Sequence, residues 1–342
     1  MSASIEELIA DPSIAALTFR QPLESVSGRD VPIFPPTYPP GRDREGHRFN
    51  TPYTINETGS GVRICDLDSV QSQANRMEAA FTGPLADVVP HHAVRAGDRQ
   101  VDLTELPHRA ADASIRATDF AEHLRGCFEA VESGDPVPLA KVAPTSLVYG
   151  VWDSRDTRVR LPRAVRSEIR ARDVSVLVRS SQYTGTFRQG ILGLSDREWV
   201  KAVDAGFAPT PTIDTAGGIL VDGEIVQAAS ILLGVLRRYR TAAGSELLPC
   251  YLLGLALGGL LTTGSEYDLR SGCTLVRSAP GEWQLVRACG ARQAIGITAD
   301  AVGQELRATA RQWADAAGVA LGGEPTVHHY DPAIAKSMVA GA

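Results

Sequence analysis

The apolar run LLPCYLLGLALGGLL, Leu247–Leu261, is the feature that most limits the folds open to this chain. The run carries no charged side chain, but it is shorter than a membrane-spanning helix, which needs about 20 residues. It also contains Pro249. We therefore interpret the run as a buried helix, and we expect Gly254 and Gly258 to let another element approach it closely.

Segments with strand and helix patterns alternate along the chain, which favours an α+β sandwich. We expect strands at Ala16–Arg20 and Leu147–Trp152, helices at Leu106–Glu132, Glu224–Tyr239 and Thr298–Ala317, and a hairpin of Cys273–Arg277 with Trp283–Val286. No internal repeat is visible in the 342 residues. The sequence therefore predicts one elaborated domain, 1–342, with a loop or hairpin insertion at about 27–66.

Composition excludes a disordered chain and favours a cytoplasmic protein. Hydrophobic residues make up 44% and charged residues 22%, as in ordinary globular domains. The five cysteines show no C-x-x-C spacing, which is typical of free thiols in a reducing compartment. The acidic N-terminal residues do not resemble a secretory signal, and we expect no membrane partner.

An arginine-rich segment, 155–183, differs in charge from the rest of the chain. It holds eight arginines against three acidic residues, whereas the whole chain has a formal charge of −6. Arginine grips phosphate through paired hydrogen bonds and stacks on bases, so the segment favours binding to single-stranded nucleic acid. The alternative is a solvated surface whose arginines form local ion pairs. We expect Trp152, just before the segment, to lie in the core.

A helix is predicted after Asp68, which we expect to cap it with Gln71 three positions later. Val70, Ala74, Met77 and Phe81 form its apolar stripe. The opposite face carries amide and hydroxyl side chains and Arg76, and it is either an anion-binding face or the ordinary polar face of an amphipathic helix.

Five strings resemble one known family: DSVQSQANRMEAAF, LPHRAADASIR, TSLVYGVWDS, RLPRAVRSEIRARDVS and RSSQY. They are similar to the backbone subunit of the type I-G (formerly I-U) CRISPR Cascade complex, a member of the Cas-seven branch of the RAMP proteins. The likeness is segmental and ordered, from about Arg63 to about Val276. It implies an RRM-like (ferredoxin-like) palm with large insertions, and a basic thumb-like insertion at about 153–190.

The resemblance also implies a non-catalytic protein that coats CRISPR RNA in many copies and presents it to target DNA. Its other partners would be the large subunit and the fused Cas-five/Cas-six type subunit, and no cofactor is expected. The residues we expect to bind RNA are Ser69, Gln71, Ser72, Asn75, Arg76, Arg109, Arg163, Arg166, Ser167, Arg170, Gln182 and Tyr183. For Arg109 a surface ion pair is the alternative.

Catalytic motifs are missing from the sequence: no phosphate-binding G-x-x-x-x-G-K-[ST] loop, G-x-S-x-G elbow or H-E-x-x-H occurs. The pairs His91-His92 and His328-His329 are predicted to lie in loops without Cys or acidic partners at metal-ligand spacing, so we expect no metal site. Asp153 and Asp156 keep one alternative open, a metal-dependent endoribonuclease. Their structural role would be turn formation and pairing with Arg155 or Arg158.

Overall fold

A computed structural model describes residues 3–38, 52–183, 186–187, 189–202, 204–207, 210–241, 244–263 and 267–340, without the side chains of 181–183 and 210–214. The strands are β1 (Ile14–Ser25), β2 (Ile55–Glu57), β3 (Arg63–Asp68), β4 (His92–Ala96), β5 (Arg99–Asp102), β6 (Val151–Trp152), β7 (Arg160–Leu161), β8 (Val165–Arg172), β9 (Val174–Tyr183), β10 (Thr210–Val221), β11 (Ile225–Leu232), β12 (Tyr267–Arg270), β13 (Cys273–Arg277), β14 (Glu282–Arg287), β15 (Arg292–Ala294) and β16 (Thr326–His329). The helices are α1 (Ile5–Ala10), α2 (Val70–Glu78), α3 (Ala113–Arg116), α4 (Ala121–Glu132), α5 (Val137–Ala140), α6 (Pro144–Tyr149), α7 (Gln189–Leu192), α8 (Asp196–Ala202), α9 (Leu233–Leu236), α10 (Leu247–Thr263), α11 (Ala299–Ala317) and α12 (Pro332–Ala340).

The predicted α+β class is confirmed by a nine-stranded sheet with helices packed against it. Its order is β12-β13-β1-β11-β8-β3-β2, with β14 and β15 added at β1, and every pairing in it is antiparallel. Smaller sheets are formed by β9 with β10, by β6 with β7, and by β5, β4 and β16, in which β16 runs parallel to β4.

Helix α10 lies at the centre of the core, as the apolar run predicted. All of its residues from Leu248 to Leu260 are buried. An added Cβ at Gly254 or Gly258 would lie 2.9 or 2.8 Å from the Leu306 side chain of α11, which confirms the close approach expected at these glycines. None of the helices in the described ranges combines the length and apolarity needed to cross a membrane.

Two predicted elements have the wrong secondary structure. Half of Leu147–Trp152 belongs to helix α6, which is capped by Gly150, and only two residues form β6, because a short buried apolar run fits a helix as well as a strand. The predicted helix Glu224–Tyr239 is instead strand β11 followed by short α9. Alternate residues of β11 are buried, and its neighbours β1 and β8 complete its hydrogen bonds.

Other predicted elements are confirmed with changes. The first strand and the Thr298–Ala317 helix are present as β1 and α11. The helix expected at Leu106–Glu132 is broken into short turns, α3 and α4, with Arg109 at a positive φ of 53°. Strands β13 and β14 exist but form no hairpin, because each pairs with a different part of β1.

Strand β8 links the arginine-rich segment to the main sheet. Val165, Ser167 and Ile169 are buried, while the alternating Arg166 and Arg170 are exposed. Since side chains alternate between the faces of a strand, only half of this segment reaches solvent. The single-domain assignment and the thumb-like insertion stay predictions. Within the range expected for the insertion, β8 is an internal strand of the main sheet, and the antiparallel pair of β9 and β10 follows it.

Candidate nucleic-acid interface

Helix α2 begins differently from the prediction. Its N-cap is Ser69, whose hydroxyl accepts from the backbone N–H of Ser72 at 3.3 Å. The expected cap, Asp68, is buried and accepts from Gln73 Nε2 at 2.6 Å and Arg76 Nε at 3.0 Å. Asp68 therefore anchors the inner side of the helix and leaves the cap to the next residue.

Arg76 was predicted to hold RNA, but the structure gives its guanidinium three protein partners. Beyond Asp68, Nη1 donates to the carbonyl of Asp268 at 3.3 Å and Nη2 to that of Leu269 at 2.7 Å. These bonds tie α2 to strand β12. Each Nη nitrogen keeps a second N–H and the side chain is 34% exposed, so the predicted phosphate contact of Arg76 stays a prediction.

Arg109 forms a buried ion pair, so the alternative of a surface pair is wrong, whereas its predicted contact with RNA stays a prediction. The whole residue is 3% exposed. Its Nη2 lies 2.6 Å from Glu78 Oε2, and its Nη1 donates to the Gly150 carbonyl at 3.0 Å. Burial raises the pKa of the Glu78 carboxyl, and the charge of Arg109 opposes that shift.

Ser167 is also buried, at 0% exposure. Its hydroxyl donates to Gln73 Oε1 at 2.8 Å, and Gln227 Nε2 lies 2.9 Å from the same oxygen. Tyr267 completes this network by donating to Gln227 Oε1 at 2.8 Å. The predicted RNA contact of Ser167 is wrong, because β8 turns this side chain toward α2.

Arg163 and Gln71 meet at the outer surface. Arg163 Nη2 donates to Gln71 Oε1 at 2.7 Å, and its Nε donates to the Tyr149 carbonyl at 2.9 Å. Gly150 has φ 76°, and a Cβ there would lie 2.9 Å from the Arg163 backbone nitrogen. Glycine at this position therefore lets the segment at Arg163, between β7 and β8, approach the end of α6. Burial is the main cause that lowers the pKa of Arg163.

Arg166 and Arg170 differ in how firmly they are paired. The Arg166 side chain is 60% exposed, and its only ion pair within the described residues is with Glu168 at 3.4 Å. Arg170 pairs with Asp66 at 2.8 Å and with Glu168 at 3.1 Å. Exposed pairs contribute little stability, so Arg166 is the more available of the two for an anionic ligand.

These outer residues line an open groove of about 890 Å³ between α2, the β6–β7 pair and β8. Trp152 is 60% exposed there, which corrects its predicted core position. The Arg160 guanidinium carbon lies 5.6 Å from the centre of its ring. Polar and aromatic residues that line the groove are Gln71, His108, Arg109, Tyr149, Trp152, Ser154, Arg160, Arg163, Arg166 and Ser230.

The structure thus brings four of the predicted RNA-binding residues to the groove, Gln71, Arg109, Arg163 and Arg166, of which Arg109 is buried. Ser69, Ser72 and Asn75 lie on α2 but do not line the groove. Gln182 and Tyr183 end strand β9, and their side chains lie outside the described residues. Trp152 and Arg160 were missed as site residues. The aromatic residue beside the first arginines was the sequence signal for them.

The two aspartates of the nuclease alternative are held by neighbouring side chains. Asp153 is buried; it accepts from the Thr157 N–H at 2.9 Å and hydroxyl at 2.8 Å, and Arg116 lies 3.6 Å away. Asp156 pairs with Arg125 at 3.0 Å. Their predicted partners Arg155 and Arg158 are therefore wrong. Within the described ranges no three His, Cys, Asp or Glu side chains are arranged to hold a metal ion.

The histidine pairs are not isolated in loops. Buried His91 contacts Asp102 at 2.9 Å. His92 on β4 and His328 on β16 place ring nitrogens 3.0 Å apart, and His328 lies 3.7 Å from Asp119. Burial, reinforced by His328, lowers the pKa of His92 to about 4. The predicted loop placement is wrong for His92, His328 and His329, which lie on strands and join β16 to β4.

Residues 17–176 match the family model described as CRISPR-associated protein GSU0053 (Cas_GSU0053). We call these residues the Cas_GSU0053 region. The Cas_GSU0053 region contains all of α2 and every groove residue except Ser230 and Leu232. Four of the five strings lie within this region, and the CRISPR-associated resemblance that they indicated is confirmed.

Comparison with curated proteins found no match. Among solved structures, the chain is similar to one described as a CRISPR RNA-guided surveillance complex, pre-nicking, at 12% identity. The alignment covers 96% of this chain and 100% of that chain, with a TM-score of 0.37. The assignment of the Cas_GSU0053 region rests on the family model.

Proposed function

We propose that this protein is an RNA-binding backbone subunit of a Cascade complex, which coats CRISPR RNA in the cytoplasm. The observation that carries the proposal is the groove, where exposed Trp152 lies beside Arg160, Arg163 and Arg166. It lies almost wholly within the Cas_GSU0053 region. The family supplies the expectation of a CRISPR complex, and the groove supplies a surface chemically suited to its RNA.

The groove suits a single strand because it combines a stacking plane with guanidinium groups. An exposed indole stacks on any base, and arginines along the same surface neutralise successive phosphates. The acidic net charge of −6 does not oppose this, because a ligand responds to the local potential of the groove. Binding of this kind is tolerant of sequence, as a backbone subunit requires.

An RRM-like palm is part of the proposal, and the strand order supports it. Strands β14, β1, β11 and β8 are neighbours in that order and antiparallel. Helix α2 lies between β1 and β8 in the chain, and α10 between β11 and β14. This is the strand order of a β-α-β-β-α-β fold, with β9–β10 as the thumb-like element.

In this proposal several copies lie side by side along the guide, with the large subunit and the fused Cas-five/Cas-six type subunit at other positions. Each copy holds the RNA backbone and leaves bases free to pair with target DNA. Base pairing then determines the target, and the protein determines the geometry.

We propose a non-enzymatic role, because Asp153 and Asp156 already bind Thr157, Arg116 and Arg125. Incubation of the protein with labelled RNA and magnesium is expected to leave the RNA intact. Cleavage that disappears in Asp153→Ala would instead support the nuclease alternative.

The central experiment is to express the chain with a CRISPR array and purify it by size. We expect a large particle with high absorbance at 260 nm that contains intact guide RNA. A protein of monomer size without RNA, and without affinity for added single-stranded RNA, would contradict the proposed function.

A further inference from the structure

A second, smaller cleft of about 320 Å³ adjoins the groove along strand β7. Arg160, Leu161 and Pro162 line both spaces. The far wall of the cleft comes from the end of α4 and from the turn Arg237–Tyr239 that follows α9. A strand that leaves the groove across β7 therefore meets this cleft next.

The charged side chains of the cleft are mainly positive. Arg158, Arg160 and Arg238 line it together with a single acidic residue, Glu132. Within the described part of the chain, neither Arg158 nor Arg238 has an ion-pair partner. Arg158 also keeps a left-handed backbone at φ 63°, a strained conformation for a side chain of this size.

The neighbours of Arg238 show that its lack of a partner is not a general feature of this turn. Arg237 donates to the backbone carbonyls of Leu8, Ile9, Asp11 and Ile14. Arg240 pairs with Glu246. Arg238 is exposed and is therefore available to a ligand.

Tyr239 provides an independent observation at the same place. The residue is 6% exposed, and its buried hydroxyl has no hydrogen-bond partner. A buried unsatisfied hydroxyl costs free energy unless a ligand completes it. Burial raises the pKa of Tyr239 to about 12, so the hydroxyl remains a hydrogen-bond donor at neutral pH.

We propose that Arg158, Arg160, Arg238 and the Tyr239 hydroxyl form a phosphate-binding subsite for the RNA strand that leaves the groove. Guanidinium groups and one neutral donor suit a phosphodiester, which has only acceptor oxygens. This inference rests on the proposed RNA binding and extends its path beyond Trp152.

The test measures binding of a fluorescein-labelled single-stranded RNA to the full chain by anisotropy over a series of salt concentrations. Tyr239→Phe removes only the hydroxyl and is expected to weaken binding about tenfold. Arg158→Gln with Arg238→Gln is expected to reduce the slope of log affinity against log salt by about 0.7 for each phosphate that the protein no longer neutralises. Arg99→Gln, an exposed arginine on β5 outside both spaces, serves as the matched control.

Stability measurements separate the subsite from a merely structural tyrosine. Because the hydroxyl has no partner in the free protein, Tyr239→Phe is expected to leave the thermal midpoint unchanged or higher. A lowered midpoint would show that the hydroxyl has an internal role and would overturn the subsite.

The remaining outcomes distinguish this inference from the proposed function. Wild-type affinity and salt slope in all cleft variants, with loss of binding in Arg163→Ala/Arg166→Ala, would overturn the subsite alone. No binding by the wild-type protein would overturn RNA binding itself. If inorganic phosphate stabilised the wild type but not Tyr239→Phe, and RNA affinity stayed equal, the cleft would bind free phosphate and the strand assignment would fall.

Discussion

The groove and the layer beneath it use the same residue types for opposite purposes. In the groove, Arg160 and Arg166 are exposed and have weak or aromatic neighbours. Beneath it, Arg109 and Arg76 are held by Glu78, Asp68 and backbone carbonyls. The comparison teaches that burial and partner number, not residue type, separate an arginine available to RNA from one that stabilises the fold.

The largest expected effect comes from disrupting the buried ion pair of Arg109 with Glu78. Arg109→Ala leaves the Glu78 carboxylate buried without its partner, and we expect a loss of about 3–5 kcal/mol in the free energy of unfolding. Urea denaturation measures this. Arg166→Ala, an exposed arginine from the same region, is the control and is expected to change stability by less than about 0.5 kcal/mol. Equal effects of the two substitutions would remove the distinction between the layers.

The same variant has a predictable pH dependence. The pKa of Glu78 is raised in the folded protein, so folding favours its protonated form. This contribution to stability is fully present at pH values below the pKa of Glu78 in the unfolded chain. It is lost as the pH rises through the pKa of Glu78 in the folded protein. The deficit of Arg109→Ala is therefore expected to shrink as pH falls from neutral toward about 4.3. A deficit independent of pH would assign the effect to packing.

The second prediction breaks the groove. Arg163→Ala with Arg166→Ala is expected to weaken binding of single-stranded RNA and to flatten its salt slope by about 1.4, because two phosphates are no longer neutralised. Arg170→Ala is the matched variant on the same strand. Because Asp66 and Glu168 already neutralise Arg170, the salt slope of the Arg170→Ala variant is expected to stay nearer that of the wild type. A slope unchanged in the double variant would contradict the groove as an RNA site.

The third prediction sharpens the role of the exposed aromatic residue. Trp152→Ala removes a stacking surface worth about 1–3 kcal/mol of binding, whereas Trp152→Phe keeps a ring. We expect the alanine variant to bind RNA more weakly, the phenylalanine variant to fall between it and wild type, and both to keep the wild-type salt slope. Indole fluorescence quenching on RNA addition is a direct readout. Identical affinities in all three proteins would exclude stacking.

The smallest expected effect tests the burial rule away from the groove, at the contact of His92 with His328. Burial depresses the pKa of His92 to about 4. The neutral ring therefore contributes to stability above the pKa of the unfolded chain, near 6.5, and this contribution is lost as the pH falls toward 4. His328, His123, His91, Asp102 and Asp119 are the neighbouring titratable groups. We expect stability to fall across that interval, and His92→Gln to reduce the pH dependence. A wild-type stability that did not change with pH in this interval would contradict the prediction.

The sequence predicted several residues of the candidate site, but not which of them the fold would leave exposed. Gln71, Arg163 and Arg166 were predicted and meet in the groove. Arg76, Arg109 and Ser167 were predicted on equal grounds and are engaged inside the protein. Local patterns did not separate the two groups, because their partners on α2, β8 and β12 are far apart in the chain. Glu78 lies 31 residues from Arg109, for example.

The sequence by itself determined the elements whose cause is local or compositional. An uninterrupted apolar run determined α10, and the ordered strings determined the family of residues 17–176. The tertiary structure alone decided that Glu224–Tyr239 begins as a strand and that Trp152 faces solvent. The physical reason is that strand pairing and side-chain burial depend on distant neighbours. The sheet selects the conformation of β11 and the exposed face of β8, and these choices assign each arginine to the fold or to its ligand.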